Sequence, residues 1–202
     1  TYDVAAYFIS VKDDIIPYRG GRFYFTAGET QRMGIEFGTQ MQFSYGFSVQ
    51  GSVTYSNNKY NAYRVDSVHY SLSKAGKYAD YQDNKVAGIP DMFYSASLNY
   101  APAFLGGLSL GVSFSGMGAY FVDDANSIEV PSYNIINASL SLNREVLIGG
   151  IGIRGFFTVN NITDQKYVAS GFINPDLVGG KPVFLEPGMP RNVTLSLMIS
   201  IR

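Results

Sequence analysis

The chain has no cysteine, no tryptophan and a single histidine, and only 15% of its 202 residues are charged, against roughly 25% in ordinary soluble domains. Without cysteine there are no disulfides and no thiolate metal sites. One histidine, His69, cannot build a histidine-rich metal centre, and no cofactor is expected. A formal net charge of -1 lacks the basic excess that holds nucleic acid. There is also no run of about 18 apolar residues to cross a membrane as a helix. Low charge without such a run leaves two classes, a buried all-β protein or a membrane β-barrel.

What the chain does have is 16 Tyr, 14 Phe and 22 Gly, residues of strands, tight turns and the aromatic belts at lipid interfaces. Period-two alternation then marks the strands. The clearest is the last, where Val193, Leu195, Leu197, Ile199 and Ile201 alternate with Asn192, Thr194, Ser196, Met198 and Ser200. Working forward from the start, strands are expected over Tyr2 to Lys12, Thr30 to Met41, Phe47 to Tyr55, Asp91 to Tyr100 and Leu108 to Phe121. A sixth follows around Ile136 to Asn143, then Ile151 to Asn160 and Asn192 to Ile201. The first has mixed phase, with Tyr2, Val4, Ala6 and Phe8 on one face and Tyr7, Ile9 and Val11 on the other.

The links between these strands alternate in length. Those at Asp13 to Glu29, Asn57 to Pro90, Val122 to Pro131 and Asn161 to Pro190 are long, while the turns near Phe43, Pro102 and Leu147 are short. Outer-membrane barrels have this asymmetry, with short periplasmic turns and longer extracellular loops. Strand lengths agree, since about 9 to 11 tilted residues cross a bilayer. A soluble β-sandwich alternates too, but its strands average nearer 5 or 6 residues and its loops follow no side-dependent rule.

Eight strands can close alone into a barrel just wide enough for side chains to fill. Here the inward positions are mostly Ser, Gly, Asn and Thr, too small to fill it and suited to the wall of a wider barrel. An open sheet edge in hydrocarbon is costly, so further strands are expected outside this sequence. The outward parity of the last strand also predicts an aromatic residue following Arg202.

The stretch FTVNNITDQKY, Phe157 to Tyr167, resembles the NLTDKKY segment of TonB-dependent outer-membrane receptors. EPGMPR, Glu186 to Arg191, is similar to that family's PGxxR approach to its last strand. Weaker matches are AAYFISVKDDI, Ala5 to Ile15, and Gly28 to Thr30 with Gly34 to Glu36. The residues themselves suggest turns, since Asn161 and Asp164 can bond their own backbone and Pro187 with Gly188 re-aims the chain.

The resemblance implies that residues 1–202 are the C-terminal part of an antiparallel transmembrane barrel of about 22 strands, with an N-terminal plug and earlier strands absent from this sequence. It implies a location in the outer membrane of a Gram-negative bacterium, contact with its lipid, and a TonB partner engaged through the missing N-terminal part. The implied activity is active uptake of a scarce ligand, a ferric siderophore foremost; a passive porin-like channel has the same wall and stands as the alternative.

Ligand contact is expected on the Asn57 to Pro90 loop, through Tyr60, Tyr63, Arg64, His69, Tyr70, Tyr78 and Tyr81. Lys59, Arg64, Lys74, Lys77 and Lys85 outnumber Asp66, Asp80 and Asp83 there, so aromatics beside cations could hold an anionic aromatic chelate. The bland reading of the same residues is a Tyr-rich loop packed on itself. Asp123, Asp124 and Asn126 offer three oxygen side chains, fewer than the 6 to 8 ligands calcium takes. No base sits beside a nucleophile, so no enzyme is expected.

Overall fold

The computed structural model describes residues 1–18, 23–26, 28–66, 78–173 and 183–201. Strand β1 (Tyr2–Lys12) leads into a small hairpin, β2 (Ile15–Tyr18) and β3 (Phe23–Thr26), and then β4 (Glu29–Gln42) returns antiparallel to β1. Beyond it lie β5 (Phe47–Ala62), the short pair β6 (Arg64–Asp66) and β7 (Tyr78–Asp80), β8 (Met92–Tyr100) and β9 (Leu108–Met117). A two-residue ladder, β10 (Tyr120–Phe121) with β11 (Glu129–Val130), precedes β12 (Tyr133–Ile148) and β13 (Ile151–Asn160). The hairpin β14 (Val168–Ile173) and β15 (Val183–Pro187) then leads to β16 (Asn192–Ile201).

Eight of these strands form one antiparallel meander in the order β1-β4-β5-β8-β9-β12-β13-β16. The sheet is unclosed, with β1 and β16 at its edges among the described residues. The expected eight strands and the alternation of long and short links are both present. Each long link carries its own two-stranded hairpin, and these hairpins all stand at one end of the sheet.

Register fixes which residues share a face. One row reads Met41, Val49, Leu98, Val112, Ala138, Val159, Val193 across seven neighbouring strands. The adjacent row on the other face reads Gln42, Ser48, Asn99, Gly111, Ser139, Thr158, Thr194. The first is a lipid-facing surface, and its members are open, Val112 at 50% and Val193 at 65% exposure. The second is a water-facing wall of hydroxyls and amides. The same register settles the phase of β1, because Val4 stands beside Phe37 and Ala6 beside Ile35, while Tyr7 stands beside Gly34.

Three boundaries differ from the sequence reading. β5 continues past Tyr55 to Ala62, so Tyr60 sits on a strand rather than in a loop. The strand expected over Leu108 to Phe121 stops at Met117, where the Gly118 N–H turns to Met92 O at 2.8 Å, and Tyr120 and Phe121 pair with β11 instead. β12 runs through a bulge between Leu142 and Val146 to Ile148, so its turn is only Gly149 and Gly150, both at positive φ. In each case a neighbouring strand supplied or withdrew backbone partners that alternation does not report.

Candidate luminal and loop site

At the loop end the inward face of β5 carries Ser56, Asn58 and Tyr60, all buried. Tyr60 and Tyr63 lie with ring centroids 4.7 Å apart, and Tyr81 meets Tyr63 edge-on at 5.3 Å. Both buried hydroxyls need acceptors, and both find Asp124: Tyr60 donates to Oδ1 at 2.7 Å and Tyr63 to Oδ2 at 3.0 Å. Burial pushes the Asp124 carboxyl above its ordinary value, while the two phenol donors pull the other way and lose.

The turn that presents Asp124 is tied on both sides. Asp123 accepts from the Ser127 and Ile128 N–H groups, each at 2.9 Å, and from the Ser127 hydroxyl at 2.6 Å. Asn126, at φ 52°, accepts from Lys85 N at 2.8 Å and donates to Lys85 O at 3.0 Å. Asn84 Nδ2 donates to Asp124 O at 2.8 Å. The Asp123 side-chain oxygens are thus spent on closing their own turn and those of Asp124 and Asn126 on joining it to the neighbouring loop, and no group of three or more metal-binding acids, cysteines or histidines occurs among the described residues.

Of the residues expected to touch ligand, Tyr60 and Tyr63 form the core of this stitch, at 3% and 2% exposure. Tyr81 is half-buried against them. Arg64 is exposed on β6, opposite Asp80 of β7, and Tyr78 begins β7 opposite Asp66. His69 and Tyr70 lie outside the described residues.

A second cluster lies over β9 and β12, where Met117, Tyr120, Val122 and Val130 are buried together. The Tyr120 hydroxyl accepts from Gly171 N at 2.8 Å, which joins this cluster to the last hairpin. Immediately below the loops, a row on the inner wall reads Thr54, Phe93, Met117, Tyr133 across four strands. The Tyr133 and Tyr167 rings pack at a tilt of 37° with centroids 4.3 Å apart. The next row down is Ser52, Ser95 and Ser115, with Ser52 and Ser95 hydroxyls 2.8 Å apart. A shallow groove joins the two rows. Strand parity could have placed Phe93 and Tyr133 on the serine face; what hid them was that aromatic residues there resemble interface anchors.

The two family-like segments meet through Asn161. Buried and at φ 51°, it donates from Nδ2 to Gln165 O at 2.9 Å and to Met189 O at 3.1 Å, and accepts from Gln165 N at 2.9 Å. Asp164, at φ 52°, accepts from Arg191 N at 2.9 Å. Asn and Asp tolerate this left-handed region better than other side chains.

The family model described as TonB dependent receptor-like, beta-barrel, matches residues 1–162. The chain belongs to the TonB-dependent receptor family. It is an outer-membrane β-barrel segment. Among curated relatives, the ferrichrome outer membrane transporter/phage receptor of Escherichia coli K12 is 29% identical over 155 residues, 76% of this chain and 19% of that protein. The ferrioxamine receptor of Yersinia enterocolitica is 27% identical over 172 residues, 84% of this chain and 22% of that protein. The chain therefore spans about a fifth of the length of these relatives. Among solved structures, the siderophore receptor PiuA of Acinetobacter baumannii superposes with TM-score 0.71 at 17% identity, over 97% of this chain and 26% of that one. The ferric yersiniabactin uptake receptor FyuA of Yersinia pestis gives 0.70 at 17%, over 97% and 27%. At that identity the likeness is one of fold.

Proposed function

We propose that this chain is the C-terminal barrel segment of a TonB-dependent receptor that takes up a ferric siderophore, with the plug and earlier strands carried elsewhere in a longer protein. The observation that carries the reading is the family match together with relatives named for ferrichrome and ferrioxamine. The lipid-facing row, the water-facing wall and the clustering of every long loop at one end supply the physical side of the same argument. The segment's work is to form wall and outer loops; we assign it no catalysis, in keeping with relatives that are transporters and receptors.

Within the Asn57 to Pro90 loop we divide the labour. Tyr60 and Tyr63 tie the base of the loop to Asp124, and ligand contact is proposed for Arg64, His69, Tyr70, Tyr78 and Tyr81. The test is uptake of radiolabelled ferric siderophore by cells carrying the full-length gene, with and without TonB. Uptake that vanishes without TonB supports the receptor; uptake indifferent to TonB supports a passive porin-like channel instead.

A further inference from the structure

We infer that the free face of the last hairpin, centred on Phe172 and Phe184, is the docking surface for the receptor's first outer loop, which lies outside this sequence, so that the outer loops close into a collar. The inference rests on reading the chain as the C-terminal segment of a longer barrel. The two rings stand directly opposite each other on β14 and β15 and stack with centroids 5.7 Å apart. They remain 54% and 48% exposed. Ser170 and Glu186, the next pair on the same face, set polar groups beside them. Open aromatic rings with a polar margin have the make-up of a contact surface.

Alternation puts Gly171 and Leu185 on the opposite face of the hairpin, and that face is already occupied. A side chain at Gly171 would run into Val130 and Val122 of the preceding loop, and Val168 packs on the same cluster. The Gly171 N–H reaches the Tyr120 hydroxyl at 2.8 Å. Leu185, beside Gly171, stays 52% exposed, so the contact is centred on β14 and leaves β15 on the far side. The hairpins follow one another in the order of the strands they join. The face turned away from β10 and β11 is therefore the one turned toward the free edge of β16.

The other long links show the same arrangement, each held by the next. Gly28, near the end of the Asp13 to Glu29 link, lies against the Ala62 backbone at the base of the Asn57 to Pro90 loop. Tyr60 and Tyr63 of that loop reach Asp124 of the following one, which reaches the last hairpin through Tyr120 and Val130. In lipid the sheet has to close, because an open edge leaves backbone groups unpaired. β16 runs from the loop end to the short-turn end, so the antiparallel neighbour that closes the meander, the first strand of the barrel, rises to the loop end. The loop that follows it stands beside Phe172 and Phe184. The chain spans only 19% and 22% of two curated relatives, which leaves length for that strand and loop. The surface calls for an apolar or aromatic side chain, since covering two half-open rings removes apolar area from water.

The experiment places the photo-crosslinking residue p-benzoylphenylalanine at Phe184 of the full-length receptor in outer membranes, or at Ser196 on β16, and maps the products by mass spectrometry. The Phe184 probe is expected to join the loop that follows the first barrel strand, and the Ser196 probe to join that strand. Phe172→Ser combined with Phe184→Ser should speed amide exchange in the first outer loop by at least about tenfold. Phe172→Leu keeps an apolar side chain at an open position, so it should fold and show a smaller change. Phe184 products confined to the Asn161 to Pro190 loop, to lipid or to added ferric siderophore, or unchanged first-loop exchange in the serine variant, overturn the inference. A Ser196 product on the first strand then shows that the reading of the chain as a C-terminal segment still stands. A Ser196 probe that never meets the first strand removes that reading and this inference with it.

Discussion

The hydroxyl of Tyr60, on the inner face of a long strand, donates 2.7 Å to the carboxylate of Asp124, in a loop two strands away. Tyr63 takes the other oxygen. A loop of this length would ordinarily be the most mobile part of a barrel. Here one half-buried acid ties its base to the neighbouring loop, so the described bases of the two outer loops are joined.

Asp124→Ala should loosen that junction. It removes the acceptor of two buried hydroxyls, each lost partner costing about 1–3 kcal/mol. Asp124→Asn keeps one good acceptor and should cost markedly less. Amide exchange at Asn84, Lys85 and Val86 reads the opening directly: it should accelerate strongly in the alanine variant and weakly in the asparagine one.

The same carboxyl sets a pH dependence. Its folded value is raised by burial from 3.8, so in the window above 3.8 the folded loop holds a proton that the opened loop releases. Opening then becomes easier as pH rises through that window and is constant above it. Mild acid should therefore tighten the clamp. Protection measured across roughly pH 4 to 7 checks the sign, and Asp124→Asn should flatten the profile.

The last hairpin depends on two small details of the segments that first suggested the family. Gly188 lies against the ring of Tyr167, whose other neighbour is Tyr133 at 4.3 Å. A methyl group at Gly188 has no room unless the two rings move, so Gly188→Ala should cost about 1–3 kcal/mol. Asn161→Gly keeps the left-handed backbone but removes the side-chain bonds to Gln165 and Met189, and should cost about 1–2 kcal/mol. By contrast, Gly111→Ala meets only the Ser139 hydroxyl, which can rotate away. Urea unfolding of the refolded receptor should rank the three in that order.

The assignment of faces is tested on one strand. Val112 belongs to the lipid row and Ser113, beside Asn137, to the inner wall. Val112→Lys should destabilise by about 2–4 kcal/mol, as a cation near the bilayer midplane does. Ser113→Lys points into water and should change stability little. Heat-modifiable mobility and denaturant midpoints distinguish them; equal cost at both sites would mean the faces are wrongly assigned.

The sequence by itself determined the eight strands, their antiparallel order and the side on which each long loop stands. Those features follow from period-two alternation and the spacing of turn residues, which are local. It also flagged Asn161 and Asp164 as turn-builders before any partner was known. What it could not give was the end of β5 or the surroundings of Asp124. Tyr60 looked like a loop residue available to ligand because nothing local tells whether a strand continues; Thr30 of β4, thirty positions away, pairs with it and makes it one, and Asn84 O accepts its N–H. Asp124 looked like a weak calcium ligand because its true partners are more than sixty positions away. Phe93 and Tyr133 were legible one at a time, each on the serine face of its own strand, but only the register of β8, β9 and β12 sets them in one row. Alternation reports which face a side chain takes; which side chains become neighbours is decided by pairing between distant strands, and that belongs to the tertiary structure.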